Sequence, residues 1–162
     1  MHSTHTAQLE SRFLELADSN RARFRRIARV YAPGTEADDL LQEIWLQVWR
    51  SLPSFDNRSA LQTWAYRVAL NTCLAHRRKR RPAMESFDEK THRPQAASVG
   101  DAPGILEEFA ASLNPVDRAV LLLHLDSQPA DAMASILGMS SNAVAIRLTR
   151  IRRHFESRYI EE

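Results

Sequence analysis

The densest cluster of groups that could bind a charged partner is the basic run HRRKRR at residues 76–81. Arginine and lysine bind phosphate oxygens, so such a run is typical of a solvated helix end or of a surface that follows a nucleic-acid backbone. Trp45, Trp49, Trp64 and the polar segment SFDNRSALQ lie upstream of it. Aromatic groups interleaved with basic ones suit unpaired bases, which need flat partners for stacking. This part of the chain is therefore a candidate site for single-stranded nucleic acid.

The tryptophans also have a simpler interpretation, because Trp45 and Trp64 fall on apolar helix faces, where a place in the core is favoured. The polar and basic residues of the same segment are better candidates for an exposed binding face. They are Asn57, Arg58, Gln62, Tyr66, Arg67 and Asn71, followed by Arg77, Arg78 and Arg80 in the basic run.

A second group of residues has the spacing of a helix-turn-helix: Ala134, Gly138 and Val144. Alanine allows two helices to approach closely, glycine suits the tight turn, and valine anchors the second helix. An ordinary helical hairpin explains these three residues equally well. The next helix, SSNAVAIRLTRIRRHF, favours DNA binding, because its polar residues come first, where base edges would lie, and its arginines later, where phosphates would lie.

The candidates for contact with duplex DNA are Ser140, Ser141, Asn142, Arg147, Arg150 and Arg153. Asn142 could read adenine and Arg147 guanine. Either side chain could instead cap the helix or pair with an acid, and the sequence leaves these alternatives open.

Other kinds of chemistry have little support in the sequence. It has no paired carboxylates, nucleophile–base pattern or glycine-rich phosphate loop. The single cysteine, Cys73, excludes an internal disulfide and a cysteine-rich zinc site. No run approaches the roughly 18 apolar residues of a membrane span, and MHSTHTAQLESRF lacks the pattern of a secretory signal. We therefore expect no enzyme activity, no catalytic or metal site, no cofactor and a cytoplasmic location.

The elements that must position these groups are predicted to be helices. Apolar residues recur at helical spacing and the chain has only four glycines, so we expect an all-α fold. Residues 82–104 include three prolines and have the composition of a flexible linker, which divides the chain into helical domains at 6–81 and 105–160. Residues 1–81 carry a net charge of +6 and residues 82–162 a net charge of −4. Each domain is small enough that its core must be a compact helix bundle.

Local signals place the helix boundaries. In the first domain they predict two helices before Pro33, one from a cap at Thr35 to Pro53, and one from Ser59 to about Arg80. In the second domain they predict helix starts at Asn114, near Ser127 and at Ser140, with a stop at Gly138.

The segments EADDLLQEIWLQVWRSLPSF and ALQTWAYRVALNTCLAHRRKRR resemble region 2 of the extracytoplasmic-function (ECF) sigma factors, in the sigma-70 family. LNPVDRAVLLLHL and ASILGMSSNAVAIRLTRIRRHF resemble region 4 of the same family. The resemblance covers roughly residues 8–81 and 106–158, in the family's order. It implies two helical domains, of which the first melts the minus-ten promoter element and reads it as single strand. The second would bind the minus-thirty-five element as duplex.

The resemblance also implies partners. In the family, the helix that corresponds to DDLLQE docks on the clamp helices of the polymerase β′ subunit, which by position implicates Asp39, Gln42, Glu43 and Leu46. Helical phase separately places these residues opposite the apolar stripe. The implied partners are core RNA polymerase, through its β′ and β subunits, promoter DNA and an anti-sigma factor, without direct insertion into a membrane.

Three departures from the family pattern lie in the second domain: Pro129 in place of a serine or threonine cap, Ala132 in place of an acid, and Ala145 where a basic residue is common. They predict contacts with the upstream element that differ from the family average. Two other functions stay open: a helix-turn-helix regulator that acts without polymerase, and a module that mimics a sigma domain to sequester a partner. A helix-turn-helix regulator that acts without polymerase would not explain the acidic helix or the run HRRKRR.

Overall fold

The structure is a computed structural model that describes residues 2–32, 34–80 and 104–161, and the side chains of residues 78–80 are outside that description. The described residues form seven α-helices and one short 3₁₀-helix, with no strand among them, and the all-α prediction is confirmed. The chain divides into two compact units, residues 1–97 and 98–162. The predicted linker, 82–104, lies outside the described residues except for Gly104.

Unit 1 is a bundle of three helices: α1 (His2–Tyr31), α2 (Glu36–Ser51) and α3 (Leu61–Arg80), with the 3₁₀-helix Leu52–Ser54 after α2. Gly34 makes the turn between α1 and α2 with a φ of +65°, a backbone conformation that residues with a Cβ rarely adopt. The core between the three helices is apolar and includes Leu16, Phe24, Ile27, Leu40, Ile44, Val48, Ala65, Leu70 and Cys73.

The prediction of two helices before Pro33 is wrong, because α1 runs unbroken from His2 to Tyr31. Asn20 in the middle of α1 is fully buried, and its Nδ2 donates to the Leu16 carbonyl at 3.0 Å and to Oε1 of Gln62 at 2.6 Å. A buried amide with these partners is satisfied inside a continuous helix. Gln62 is distant in the sequence, so local patterns could not show this.

The start of α2 also differs from the prediction, because the Thr35 side chain makes no capping hydrogen bond. Thr35 has helical dihedral angles, φ −68° and ψ −20°, whereas a capping residue is usually extended. The first turn of α2 instead carries Glu36, Asp38 and Asp39, whose charges stabilise the positive end of the helix dipole.

Unit 2 has four helices: α4 (Ile105–Ser112), α5 (Pro115–Leu125), α6 (Ala130–Leu137) and α7 (Ser141–Tyr159). The predicted start at Asn114 is confirmed, since its Oδ1 accepts from the Asp117 amide at 2.9 Å. Arg118 is buried and donates hydrogen bonds to the carbonyls of Ala110, Ala111 and Leu113. These bonds satisfy carbonyl groups that have no partner within the helix at the C-terminal end of α4.

The turn between α6 and α7 has the features predicted for a helix-turn-helix. Gly138 ends α6 in the left-handed conformation, with φ +66° and ψ 37°. The Ser140 hydroxyl accepts from the Ala143 amide at 3.1 Å and caps α7. Ala134 and Val144 are both buried, as their proposed packing roles require. Within the described residues, no helix is both long and apolar enough to cross a membrane.

Candidate polymerase and nucleic-acid interfaces

One face of α2 is exposed and carries the predicted docking residues. Asp39 and Gln42 are exposed, and the Leu46 side chain projects with 45% of its surface accessible. The opposite face is buried through Leu40 and Ile44. This face therefore presents acidic, amide and apolar groups together, which is a composition that can bind another protein.

Glu43, the fourth predicted docking residue, is partly exposed and contacts a side chain of α3. Its Oε2 lies 3.4 Å from Nδ1 of His76, and the Nε2 atom of His76 is buried with no hydrogen-bond partner. Glu43 therefore faces α3 as well as solvent, unlike the freely exposed Asp39 and Gln42.

The segment between α2 and α3 places Asn57 and Arg58 on the surface. Asn57 has a φ of +62°, a left-handed conformation that asparagine tolerates better than most residues. The Arg58 guanidinium contacts Asp56 at 2.9 Å, and the Arg58 amide donates to Asp56 at 3.2 Å. Both residues remain accessible to a partner.

Tyr66 contradicts the prediction of an exposed face, since only 1% of its surface is accessible. It packs inside unit 1, and the guanidinium of Arg23 lies 5.3 Å from its ring centre. Its neighbour Gln62 is partly buried and holds the Asn20 side chain. The α1–α3 contact therefore uses both residues for packing, and Tyr66 offers no ring to a base.

The other α3 candidates are more accessible. Asn71 is exposed, whereas Arg67 and Arg77 are partly exposed, and Arg67 also interacts within the protein. The side chains of Arg78 and Arg80 lie outside the described residues.

The tryptophans of unit 1 divide between core and surface. Trp45 is half-buried, with ring-centre distances of 5.8 Å to Phe13 and 4.9 Å to Phe24, and Trp64 is half-buried against Phe55 at 5.2 Å. These two rings serve packing, as the apolar-face interpretation predicted. Trp49 is 38% exposed and contacts Phe13 edge-on.

A basic surface on α1 was not predicted from the sequence. Arg21, Arg25, Arg26 and Arg29 are exposed along the second half of the helix, and Arg26 and Arg29 also make contacts within the protein. The signal was present in the run RARFRRIAR. Such a run at helical spacing supplies positive charge that attracts phosphates.

In unit 2, a buried carboxylate fixes two arginines of α7. Oδ1 of Asp117 accepts a hydrogen bond from Arg147 at 2.6 Å. Arg150 donates to both carboxylate oxygens of Asp117, to Oδ2 at 2.9 Å and to Oδ1 at 3.1 Å. Oδ2 also accepts from Nδ2 of Asn114 at 2.9 Å. The structure thus selects the pairing with an acid for Arg147, one of the alternatives that the sequence left open. The Arg150 side chain is still 59% exposed.

The remaining candidates of α7 lie at its surface. Ser140 acts as the cap, and Ser141, Asn142 and Arg153 are exposed. In the parts of the chain that the structure describes, no three histidine, cysteine or acidic side chains are grouped so as to hold a metal ion.

Comparison with known families matches both units. Residues 16–83 match Sigma-70 region 2, and residues 104–155 match Sigma-70, region 4, together about three quarters of the chain. The class of protein that these regions define, in this order, is that of the sigma-70 factors of RNA polymerase.

Known relatives narrow this class. SigG of Mycobacterium tuberculosis, an ECF RNA polymerase sigma factor, is 31% identical to this chain over an alignment of 153 residues. The alignment covers 75% of this chain and 41% of SigG. SigM of the same organism is 29% identical and covers 93% of this chain, which spans 78% of SigM. Escherichia coli sigma-E is 29% identical over 65% of this chain and 56% of that protein. The chain belongs to the ECF group of the sigma-70 family, and the resemblance noted in the sequence is confirmed.

The chain spans 41% of the length of SigG, so it matches less than half of that relative.

Two solved structures share the fold. CnrH, in complex with the cytosolic domain of CnrY, has a TM-score of 0.64 and 24% identity, covering 90% of this chain and 85% of that chain. RpoE of Bartonella quintana, in complex with the anti-sigma factor NepR, has a TM-score of 0.65 and 19% identity, covering 93% and 95%.

Proposed function

We propose that this protein is an alternative sigma factor that binds core RNA polymerase and directs transcription from a specific set of promoters. The observation that carries the proposal is the presence of regions 2 and 4 on one chain, in the family order. A regulator that uses only the helix-turn-helix would have no use for unit 1. We propose that the protein acts in the cytoplasm, without enzymatic activity or a cofactor of its own.

Unit 1 would supply the contact with polymerase. The exposed face of α2, with Asp39, Gln42 and Leu46 and with Glu43 at its edge, would dock on the β′ clamp helices. Its mixture of acidic and apolar groups supports such a contact, because charge guides the encounter and a central apolar side chain stabilises the complex.

Unit 1 would also hold the minus-ten element as single strand. The accessible candidates are Asn57, Arg58, Arg67, Asn71 and Arg77, and we add the α1 arginines as phosphate contacts. Gln62, with its side chain engaged by Asn20, would contribute mainly to the shape of this surface. Arg78 and Arg80 remain predictions from the sequence.

Unit 2 would bind the minus-thirty-five element as duplex, with α7 in the major groove. Ser141 and Asn142 near its start suit base edges, and Arg150 and Arg153 suit phosphates. An anti-sigma factor is a further proposed partner, because both similar solved structures are complexes and RpoE is bound there to one.

Equilibrium binding of the full chain to purified core polymerase tests this function. We expect the chain to bind core polymerase saturably. The resulting complex should bind promoters selectively, which neither component does alone. A chain that binds promoter duplex but never binds core polymerase would instead be a plain helix-turn-helix regulator. A chain that binds core polymerase but neither recognises nor opens promoters would be a module that mimics a sigma factor.

A further inference from the structure

The exposed face of α7 carries an apolar centre that neither the family match nor the charge pattern explains. Ile146 is 59% exposed, and Ala145 beside it is also exposed. Val144 and Ile151 are buried on the other side of the helix. Exposed isoleucines are common on protein surfaces, but this one lies at the middle of the face that a helix-turn-helix presents to DNA.

The residues around Ile146 form a stripe along one side of the helix. Asn142, Ile146, Thr149 and Arg153 follow one another at intervals of four, three and four residues, which places them on one face. All four are exposed. The Thr149 hydroxyl donates to the Ala145 carbonyl at 3.0 Å, so its polar group is already engaged by the backbone.

Arg147, the arginine in the first two turns of α7 that could otherwise read a base, is engaged elsewhere. Arg147 is the first charged residue of the helix, and Asp117 binds its guanidinium at 2.6 Å. Asn142 is not used as the cap, because Ser140 has that role. The first two turns of α7 therefore offer the Ser141 hydroxyl, the Asn142 amide and an apolar surface, and the one charge among them, Arg147, is paired with Asp117.

From this surface, and resting on the proposed function of unit 2, we infer that Ile146, flanked by Ala145, binds the C5-methyl group of a thymine in the upstream promoter element. In the major groove only thymine among the four bases presents a methyl group, and alanine, threonine and phenylalanine are known to contact it through apolar surface. Arginines later in α7 give the positive charge that holds the helix against the phosphates.

The spacing sets where an adenine would lie relative to that thymine. Asn142 and Ile146 are one helical turn apart, about 6 Å along the axis. That distance is close to two base-pair steps of about 3.4 Å. An adenine bound by Asn142 would thus lie within about two base pairs of the thymine.

The test uses the full chain assembled with core polymerase and a promoter fragment selected from a library with a randomised upstream element. Each thymine of the selected element is then replaced by deoxyuridine, which removes only the methyl group. We expect one replacement to weaken binding by about fourfold, the effect of one methyl group leaving apolar contact.

Ile146→Ala should bind the thymine and deoxyuridine fragments with nearly equal affinity, because the short alanine side chain at this position no longer reaches the methyl group. Ile160→Ala is the matched control, because Ile160 is also exposed but lies beyond the end of α7, and it should keep the wild-type preference for thymine. Circular dichroism of both variants verifies that each is folded.

A selected element without thymine, or deoxyuridine fragments that bind as well as thymine fragments at every position, would overturn the inference while the sigma function stands. An unchanged preference in Ile146→Ala would do the same. If the full chain forms no complex with core polymerase, the proposed function itself fails, and that result is seen before any base is replaced.

Discussion

At the scale of single residues, Asp117 is a buried polar group that connects two helices of unit 2. Its side chain is only 6% exposed and receives hydrogen bonds from Asn114, Arg147 and Arg150. A buried carboxylate needs such partners, because an unpaired charge in the interior is costly. The cluster joins the start of α5 to α7, and so fixes α7 against α5.

We expect Asp117→Asn to lower the free energy of unfolding of unit 2 by about 2 kcal/mol, less than for a fully buried pair because both arginines are partly exposed. All three tryptophans lie in unit 1, so tryptophan fluorescence follows unit 1, while circular dichroism follows both units. During urea unfolding, only the circular dichroism transition should shift. Glu156→Gln, at an exposed site on α7, is the control and should leave both transitions unchanged. Equal stability of the two variants would contradict the role given to Asp117.

Tyr66 gives the corresponding prediction for unit 1. Because its ring is buried, Tyr66→Ala should lower the free energy of unfolding of unit 1 by about 3–5 kcal/mol, as measured by tryptophan fluorescence in urea. Asn71→Ala, on an exposed position of the same helix, should change it by no more than about 0.5 kcal/mol. A Tyr66→Ala variant that is fully stable but binds the melted strand poorly would restore the interpretation of Tyr66 as a base contact.

At the scale of elements, α2 buries one face in the core of unit 1 and exposes the other, which we propose binds core polymerase. Leu46→Ala should weaken binding to core polymerase by about tenfold, since truncating a leucine that is buried in an interface loses on the order of 1.5 kcal/mol. The affinity can be measured by titration of labelled protein with core polymerase. Leu14→Ala, which alters another exposed leucine, on α1, should bind as the wild type does. Equal affinities for the two variants would show that this face of α2 is not the docking surface.

The end of α3 is predicted to follow the phosphate backbone. Replacing Arg77, Arg78 and Arg80 by glutamine should weaken the binding of holoenzyme to all promoter sequences alike. The slope of log affinity against log salt concentration should fall by about 1 for every phosphate that the variant no longer binds. Arg12→Gln, at an exposed position in the first half of α1, should keep the wild-type slope. An unchanged slope in the triple variant would mean that this run does not contact the backbone.

Elements whose signals are local could be predicted from the sequence, and those that depend on distant contacts could not. The cap at Asn114, the left-handed end at Gly138 and the cap at Ser140 each involve residues within one turn. The burial of Asn20 inside α1 involves a hydrogen bond to Gln62, which is distant in the sequence, and the burial of Tyr66 depends on helix packing. The exposure of one face of α2 was predictable, because helical phase alone separates Leu46 from Ile44.

At the scale of the whole molecule, the two units divide the proposed task between them. Unit 1 has the exposed α2 face and the arginines of α1 and α3, whereas unit 2 has the helix-turn-helix. We expect either unit alone to bind DNA with little selectivity, and unit 2 only weakly, since residues 82–162 carry a net charge of −4. We expect core polymerase to supply the surface on which both units act on one promoter, which gives selectivity through two linked contacts.

Promoter-selective transcription by the reconstituted holoenzyme tests this account most directly. Core polymerase and the full chain are combined on a promoter fragment selected by that holoenzyme, and the 5′ ends of the transcripts are mapped. The account predicts transcripts from one fixed start that core polymerase alone does not make, with fewer of them when Leu46→Ala replaces the wild type at limiting concentration. Transcription no more selective than that of core polymerase alone would contradict it.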